Sequence, residues 1–227
     1  MLNSPFVKSD ELSKNIATKM QLSRDKKTNR RFQKTFHPDE LTECGRKLIF
    51  CTREINSLQS NNYGEDLTQK YSKLKWIDLL SESDEIKVLD KFVEVSDVNY
   101  NIVSEVDCVI KIEDLPVVVL IKSLNSNDFA NIVKNGIPRK DAVRIIVDMW
   151  LIEIPDSIII YENRDSLEVK IFHVIPYNAI INAVREKSRI LWDCIVNESI
   201  VDRPYKDSEK SKECQSCSYK DRCWKNG

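Results

Sequence analysis

Seven cysteines are the residues of this 227-residue chain with the clearest chemical potential. Three of them, Cys214, Cys217 and Cys223, follow the spacing C-x2-C-x5-C near the C-terminus. A C-x2-C pair brings two thiolates to one metal centre. Clustered cysteines in a chain without an export signal are typical of metal or cluster ligands rather than of disulfides. The spacing therefore predicts a metal centre that still lacks one ligand.

A fourth ligand must come from another part of the chain, because closed zinc sites and cubane iron–sulphur clusters take four protein ligands. Cys44 is the best candidate, since it lies among polar residues on a predicted short helix. His37 and His173 are alternatives for zinc. The other cysteines are predicted to be buried or incidental: Cys51, Cys108 and Cys194.

The cysteine spacing does not distinguish zinc from an iron–sulphur cluster, because both centres accept four thiolates. Either centre joins an N-terminal helix to the C-terminal tail across most of the chain. We therefore expect its binding free energy to add to the free energy of folding.

The composition has nearly balanced charge. Thirty-five basic and 36 acidic residues give a formal net charge of −1, so bulk charge does not favour a nucleic-acid partner. Four glycines argue against a glycine-rich phosphate loop, and the apolar runs are too short for a membrane span. The first residues lack the apolar segment of a signal peptide, so we expect a cytoplasmic protein with no membrane partner, in a bacterium or a phage-infected cell.

A local basic run lies near the N-terminus, where Asp25 is the only acidic residue between Arg24 and Lys34. Such a run is typical of a solvated arm, and it is also typical of a surface that contacts phosphates. The candidate DNA contacts in and after this run are Arg30, Arg31, Lys34, Arg46 and Lys47.

The hydrophobic pattern predicts an α/β fold. Two helices, a three-strand meander over 86–123, a helix over 137–154, a strand pair and a helix over 177–198 follow one another. The run LPVVVLIKS is apolar almost throughout, which suits a central strand covered on both faces. This order predicts one mixed central sheet flanked by helices.

Composition also suggests the divisions of the chain, which we treat as a single domain. Two polar segments are predicted loops, at 56–64 and at 125–136, and the helix between the first loop and the meander has a predicted apolar face that includes Tyr71. The predicted divisions are a basic arm at 1–35, a core at 36–201 and a cysteine-rich tail at 202–227.

The segment HPDELTECGRKLIF, an acidic strand, a lysine strand and the C-x2-C-x5-C-W tail together resemble a known family. They are similar to the iron–sulphur branch of the RecB-like PD-(D/E)XK nucleases, which includes the CRISPR-associated adaptation exonuclease and related phage exonucleases. The resemblance covers roughly residues 36–224. It implies a restriction-endonuclease-like core and a [4Fe–4S] cluster held by Cys44, Cys214, Cys217 and Cys223.

The resemblance also assigns catalytic positions. It implies that Asp107, in SEVDCVI, binds Mg²⁺ or Mn²⁺ and that Lys122, in VVVLIKS, steadies the attacking water. Leu120 stands where the family has the glutamate of its Glu-x-Lys motif. Three further positions also depart from the family pattern: Thr68 for a histidine, and Arg144 and Asp148 for the glutamine and tyrosine that grip DNA.

These departures predict a weakened metal site, because one carboxylate holds Mg²⁺ poorly and a leucine offers no lone pair. Glu105, two residues before Asp107, is one candidate to rebuild the carboxylate pair, and Glu113 is another. The alternative is that Asp107 and Lys122 remain as a buried ion pair.

Three functions are compatible with these residues. The first is a catalytically impaired nuclease-fold protein that binds DNA, with Arg144 as a further contact, or serves as a subunit of a DNA-processing complex. The second is an active metal-dependent exonuclease or endonuclease that uses Asp107, Lys122 and a relocated glutamate. The third is a zinc-stapled protein-interaction module.

Overall fold

The computed structural model describes residues 35–55, 67–204 and 211–225. Residues 1–34 of the predicted basic arm, which include the candidate DNA contacts Arg30, Arg31 and Lys34, lie outside the described residues, as does the predicted loop at 56–64.

Five strands form one mixed sheet in the order β1-β2-β3-β4-β5. Neighbouring strands are antiparallel, except that β3 and β4 run parallel. The predicted meander and strand pair are thereby confirmed. The strands are β1 (Ile86–Asp97), β2 (Ile102–Ile112), β3 (Leu115–Leu124), β4 (Ser157–Asn163) and β5 (Val169–Val174).

Helices flank this sheet, and a 3-10 turn at Glu40–Thr42 precedes the first of them. The described helices are α1 (Gly45–Ile55), α2 (Leu67–Ser81), α3 (Ser126–Asn135), α4 (Arg139–Ile152), α5 (Asn178–Val196), α6 (Lys212–Gln215) and α7 (Lys220–Lys225). No described helix is long and apolar enough to cross a membrane.

The central strand β3 is buried on both faces, as its apolar sequence predicts. On one face Val118 and Leu120 pack in a cluster with the α4 residues Ile145 and Met149. On the other face Ile121 packs with Ile77 of α2 in a second cluster. Two-sided burial is the usual setting of a parallel strand pair such as β3 and β4.

Two predictions about helices are wrong. The composition of 125–136 predicts a loop, but the segment forms α3, because the Asn125 side chain accepts from the Asp128 amide as a cap and the helix buries Phe129 and Ile132. In α2 Tyr71 is 70% exposed instead of lying on an apolar face. The inner side of α2 combines the apolar Ile77 with polar residues that contact the carboxylates described below.

Cys44 lies directly before α1 and not within it. Its carbonyl accepts from the Leu48 amide, so Cys44 occupies the capping position of the helix. Gly45, the first residue of α1, lies close to two apolar side chains. A Cβ added there would lie 3.1 Å from the side chain of Val201 and 3.2 Å from that of Leu191. This contact sets the start of α1 against α5 and the segment that leads to the tail.

Candidate functional site

Asp107 is a fully buried carboxylate on β2 that already has a cationic partner. Its side chain is 0% exposed, and the Lys73 ammonium on α2 lies 3.0 Å from its Oδ1. Its Oδ2 accepts a hydrogen bond of 2.7 Å from the backbone amide of Ile121 on β3. Asp107 is therefore fixed between a neighbouring strand and the ammonium group of α2.

Leu120 lies beside Asp107 on the neighbouring strand. Cys108 on β2 pairs with Val119 on β3, and Asp107 accepts from the residue that follows Leu120. Leu120 is 2% exposed and belongs to the apolar cluster between the sheet and α4. The Glu-x-Lys position thus faces hydrocarbon, and it supplies no oxygen ligand beside Asp107.

Lys122 pairs with a different carboxylate, so the predicted Asp107–Lys122 ion pair is wrong. The Lys122 ammonium lies 3.6 Å from Asp141 on α4. The same carboxylate accepts a 2.7 Å hydrogen bond from the Tyr161 hydroxyl on β4. Burial, followed by the negative charge of Asp141, raises the pKa of Tyr161 well above its ordinary value. Tyr161 is therefore a neutral donor that holds Asp141 next to Lys122.

A second ion pair is buried on α4, at the two positions assigned by resemblance to DNA-gripping residues. Arg144 Nε lies 2.9 Å from Asp148, whose other oxygen accepts from Ser104. Burial raises the pKa of Asp148 to about 6 and outweighs the lowering by Arg144. Burial lowers the pKa of Arg144, but the carboxylates of Asp148, Asp39 and Asp107 outweigh that effect and leave it raised. This pair stays charged at neutral pH.

Arg144 and Glu105 meet through the backbone. The guanidinium donates to the Glu105 carbonyl oxygen, and the Glu105 side chain is exposed. Among the contacts of the described residues there is none between the carboxylates of Glu105 and Asp107. The metal role predicted for Glu105 and the DNA contact predicted for Arg144 stay predictions.

Glu162 anchors the helix that carries Lys73. Its carboxylate is on β4, is 3% exposed, and accepts from Ser72 Oγ at 3.0 Å and Trp76 Nε1 at 3.2 Å as well as from Lys75. Burial raises the pKa of Glu162, but these donors outweigh it, and the net pKa is lowered. Gln69 adds a second anchor, because its amide donates to and accepts from the Ser123 backbone.

We expect Glu162→Gln to make folding stability less dependent on acid pH. A carboxyl with a lowered folded pKa stabilises the fold above its unfolded value of 4.5 and loses that contribution as pH falls. The variant is therefore less stable than the wild type at pH 7, by about 1.5–3 kcal/mol for lost hydrogen bonds to a charged group. Urea unfolding at several pH values measures the difference, which is expected to shrink towards pH 3. A constant difference across that range contradicts the prediction.

The four predicted cluster cysteines line one cavity between α1 and the tail. Cys44 reaches it from the start of α1, and the other three come from the tail that carries α6 and α7. All four thiols are unbonded and half-buried. No three of the described His, Cys, Asp and Glu side chains lie close enough together to hold a single metal ion. In number and chemical type, though not in spacing for a single metal ion, the cavity-lining thiols match a four-thiolate centre: Cys44, Cys214, Cys217 and Cys223.

Cations surround this cavity. Arg46, Lys47, Arg203 and Lys220 line it, and Glu213 is the one acidic lining residue of the described part of the chain. The Lys187 ammonium donates to the carbonyl of Glu43 and interacts electrostatically with Cys44. The cationic side chains that line the cavity would attract an anionic group bound there.

The remaining cysteines and histidines are not part of the cavity lining. Cys108 is fully buried, where burial, followed by the charge of Asp107, raises the pKa of its thiol to about 12. Cys194 packs against the cluster around α5, as its apolar setting predicts. His173 pairs with Asp156 at 2.9 Å on the surface, and Cys51 is half-buried on α1.

Three residues of the carboxylate site are missed by sequence reasoning: Lys73, Asp141 and Tyr161. Lys73 is one of several lysines on α2, and Asp141 lies in a polar first turn of α4. Their partners are far away in sequence. Single-sequence periodicity therefore carries no signal for these pairings.

No protein-family profile and no curated protein match the chain at the threshold used for a match. Several solved structures share its fold. The crystal structure of SSO0001 is 14% identical with a TM-score of 0.54, covering 93% of this chain and 94% of that one. The alkaline exonuclease LHK-Exo from Laribacter hongkongensis is 9% identical with a TM-score of 0.55, covering 82% and 93%.

A phage-related exonuclease from Haemophilus somnus is 8% identical with a TM-score of 0.51, and the match covers 75% of this chain and 99% of that protein. At such identities the likeness concerns the fold alone. The mixed five-strand sheet flanked by helices is the α/β nuclease-like fold of these exonucleases.

Proposed function

We propose that this chain is a catalytically impaired iron–sulphur protein of the RecB-like nuclease branch, which binds DNA alone or as a subunit of a DNA-processing complex. The observation that carries the proposal is the ion pair of Asp107 with Lys73, at 3.0 Å in a fully buried setting. The lysine ammonium neutralises the carboxylate that a divalent cation would need.

Energetics argue that a metal does not easily replace Lys73. Mg²⁺ demands several oxygen ligands in near-octahedral geometry, and the apolar Leu120 beside Asp107 offers none. A divalent ion would have to displace the ammonium group, and an unpaired charge left in such a site costs about 3–5 kcal/mol. The residues present do not fit a hydrolytic metal site.

The cysteine cavity supports the second part of the proposal. When bound, a [4Fe–4S] cluster would supply a rigid link between α1 and the tail through Cys44, Cys214, Cys217 and Cys223, with no part in hydrolysis. A structural centre is needed for folding whatever happens at Asp107, which explains how the cysteines can persist beside a lost glutamate. A colourless protein that releases zinc would instead support the interaction module.

DNA binding is supported by the kind of proteins that share the fold. Two of them are exonucleases, and LHK-Exo has also been solved in complex with dAMP. Two candidate DNA contacts that follow the basic arm are described in the structure. Lys47 is 39% exposed and pairs with Glu43, whereas Arg46 is buried and donates to the carbonyl oxygen of Val201. Lys47 is therefore the better candidate for a phosphate contact.

We expect the purified protein to retain labelled DNA and leave it uncut in Mn²⁺. Retention should weaken steeply as salt rises, because each phosphate contact releases about 0.7–0.9 counterions. Gel shift and denaturing gels of single- and double-stranded DNA measure both properties. Cleavage that disappears in Asp107→Ala contradicts the impaired function and supports the active nuclease. Salt-independent or absent retention contradicts the DNA role.

A further inference from the structure

The wall of the cysteine cavity is aromatic, and each ring is fixed by contacts with its neighbours. Phe50 of α1 and Tyr219 of the tail have ring centroids 5.7 Å apart. Trp224 on α7 completes the aromatic lining. These rings come from both sides of the junction between α1 and the tail, and they line the same cavity as the four cysteines.

Two guanidinium groups lie over these rings. The Arg203 guanidinium lies 4.6 Å from the Trp224 ring centroid, and that of Arg222 lies 4.8 Å from the Phe50 centroid. Arg203 also donates to the carbonyl oxygen of Cys223, at 2.9 Å and 3.3 Å. Stacked guanidinium groups keep their charge while they cover an aromatic face. The rings and the ligand segment are thus held together by the same arginine.

The four cysteines are themselves only half-buried. The apolar shell around a metal site controls the access of solvent to it. In this protein that shell consists of three rings and the two arginines stacked on them. We call these five residues the aromatic collar: Phe50, Tyr219, Trp224, Arg203 and Arg222. The collar belongs to no other described structural cluster of the chain.

We propose that the aromatic collar shields the cluster from dioxygen. The Trp224 ring is the main barrier, and Arg203 holds this ring in position. The inference rests on the proposed [4Fe–4S] cluster. The step that it slows is oxidation of [4Fe–4S]²⁺ by O₂ to [4Fe–4S]³⁺ and superoxide. The oxidised cluster then releases Fe²⁺ and leaves [3Fe–4S]⁺. Removal of the ring opens a path for O₂ and leaves all four ligands in place.

Trp224→Ala tests the shielding. Purified under nitrogen, wild type and variant should contain the same iron, about four atoms per chain for one cubane. On exposure to air the absorbance near 400 nm should decay roughly 10-fold faster in the variant, the lower end of the effects seen when residues around metal ligands are changed. Trp224→Phe should restore slow decay. Tyr71→Ala, which removes an exposed ring on α2, is the matched control and should decay like wild type.

Arg203→Lys keeps the charge and removes the stacked guanidinium, and an intermediate decay rate is expected of it. This variant keeps the test decisive if Trp224→Ala loads no iron. Equal decay rates in wild type, Trp224→Ala and Arg203→Lys at equal iron content overturn the shielding alone. A wild type without iron overturns the cluster itself and the shielding with it.

Discussion

The double variant Lys73→Ala, Leu120→Glu is expected to acquire a divalent-cation site that the wild type lacks. Removal of Lys73 leaves the buried Asp107 carboxylate without its cation, at a cost of about 3–5 kcal/mol to folding. A glutamate at position 120 adds a second carboxylate beside it, because Leu120 precedes the residue that hydrogen-bonds Asp107. Two adjacent carboxylates repel each other, so a cation that binds both should restore stability.

The measurement is the melting temperature with increasing Mn²⁺. At Mn²⁺ concentrations about 100 times the dissociation constant the double variant should gain about 2.7 kcal/mol, and its melting temperature should rise accordingly. Wild type should show no specific response. Manganese bound to the double variant should also be visible by electron paramagnetic resonance.

Two controls keep this prediction sharp. Adding Asp107→Asn to the double variant should abolish the Mn²⁺ response, since only one carboxylate remains. Lys73→Ala alone should be destabilised but respond weakly, because Leu120 still supplies no oxygen. A wild-type chain whose melting temperature rises with Mn²⁺ as strongly as that of the double variant would show that Lys73 does not exclude the metal.

Cys44→Ser is expected to lose the proposed cluster and to lower the melting temperature by at least about 10 °C. Cys44 is the one cavity-lining cysteine outside the tail, so its loss uncouples α1 from the tail. Structural zinc sites contribute about 10–16 kcal/mol of apparent binding free energy to folding, and we expect a centre with four thiolate ligands to contribute on the same order. For a chain of this size each kilocalorie shifts the melting temperature by about 2–4 °C. Loss of half of that energy gives the expected drop.

Cys51→Ser is the matched control on the same helix, because Cys51 is half-buried and does not line the cavity. It should keep the iron content and the melting temperature of the wild type, within a few degrees. Iron analysis and calorimetry on both variants measure the effect. Equal iron content in Cys44→Ser and Cys51→Ser removes Cys44 from the ligand set.

The fold was largely predictable, because the meander and strand pair are local patterns of alternating and β-branched residues. The missed helix α3 shows the limit of that approach. Its Asn- and Ser-rich text is typical of a loop, yet Asn125 provides a cap and Phe129 and Ile132 find a buried surface on the sheet. Burial by distant residues overrides local composition.

The grouping of the four cysteines was predictable for a different reason. Thiolates at C-x2-C spacing have few structural uses in a polar tail, so residue type alone narrows the chemistry. The charge pairs of the carboxylate site follow no such rule. The sequence around a lysine on a largely polar helix does not indicate which carboxylate it will pair with. From the sequence alone, nothing distinguishes Lys73 from Lys122 as the partner of Asp107.

The sequence by itself therefore determined the α/β class, the candidate ligands Cys44, Cys214, Cys217 and Cys223, and the presence of Leu120 where the family that the chain resembles has a glutamate. Only the tertiary structure decided which cation neutralises Asp107. That choice depends on where Glu162 anchors α2 on the sheet, and the register of one helix against one strand sets which ammonium reaches the carboxylate. Ion pairs are made by proximity across the fold, and proximity between distant segments is not written in local sequence.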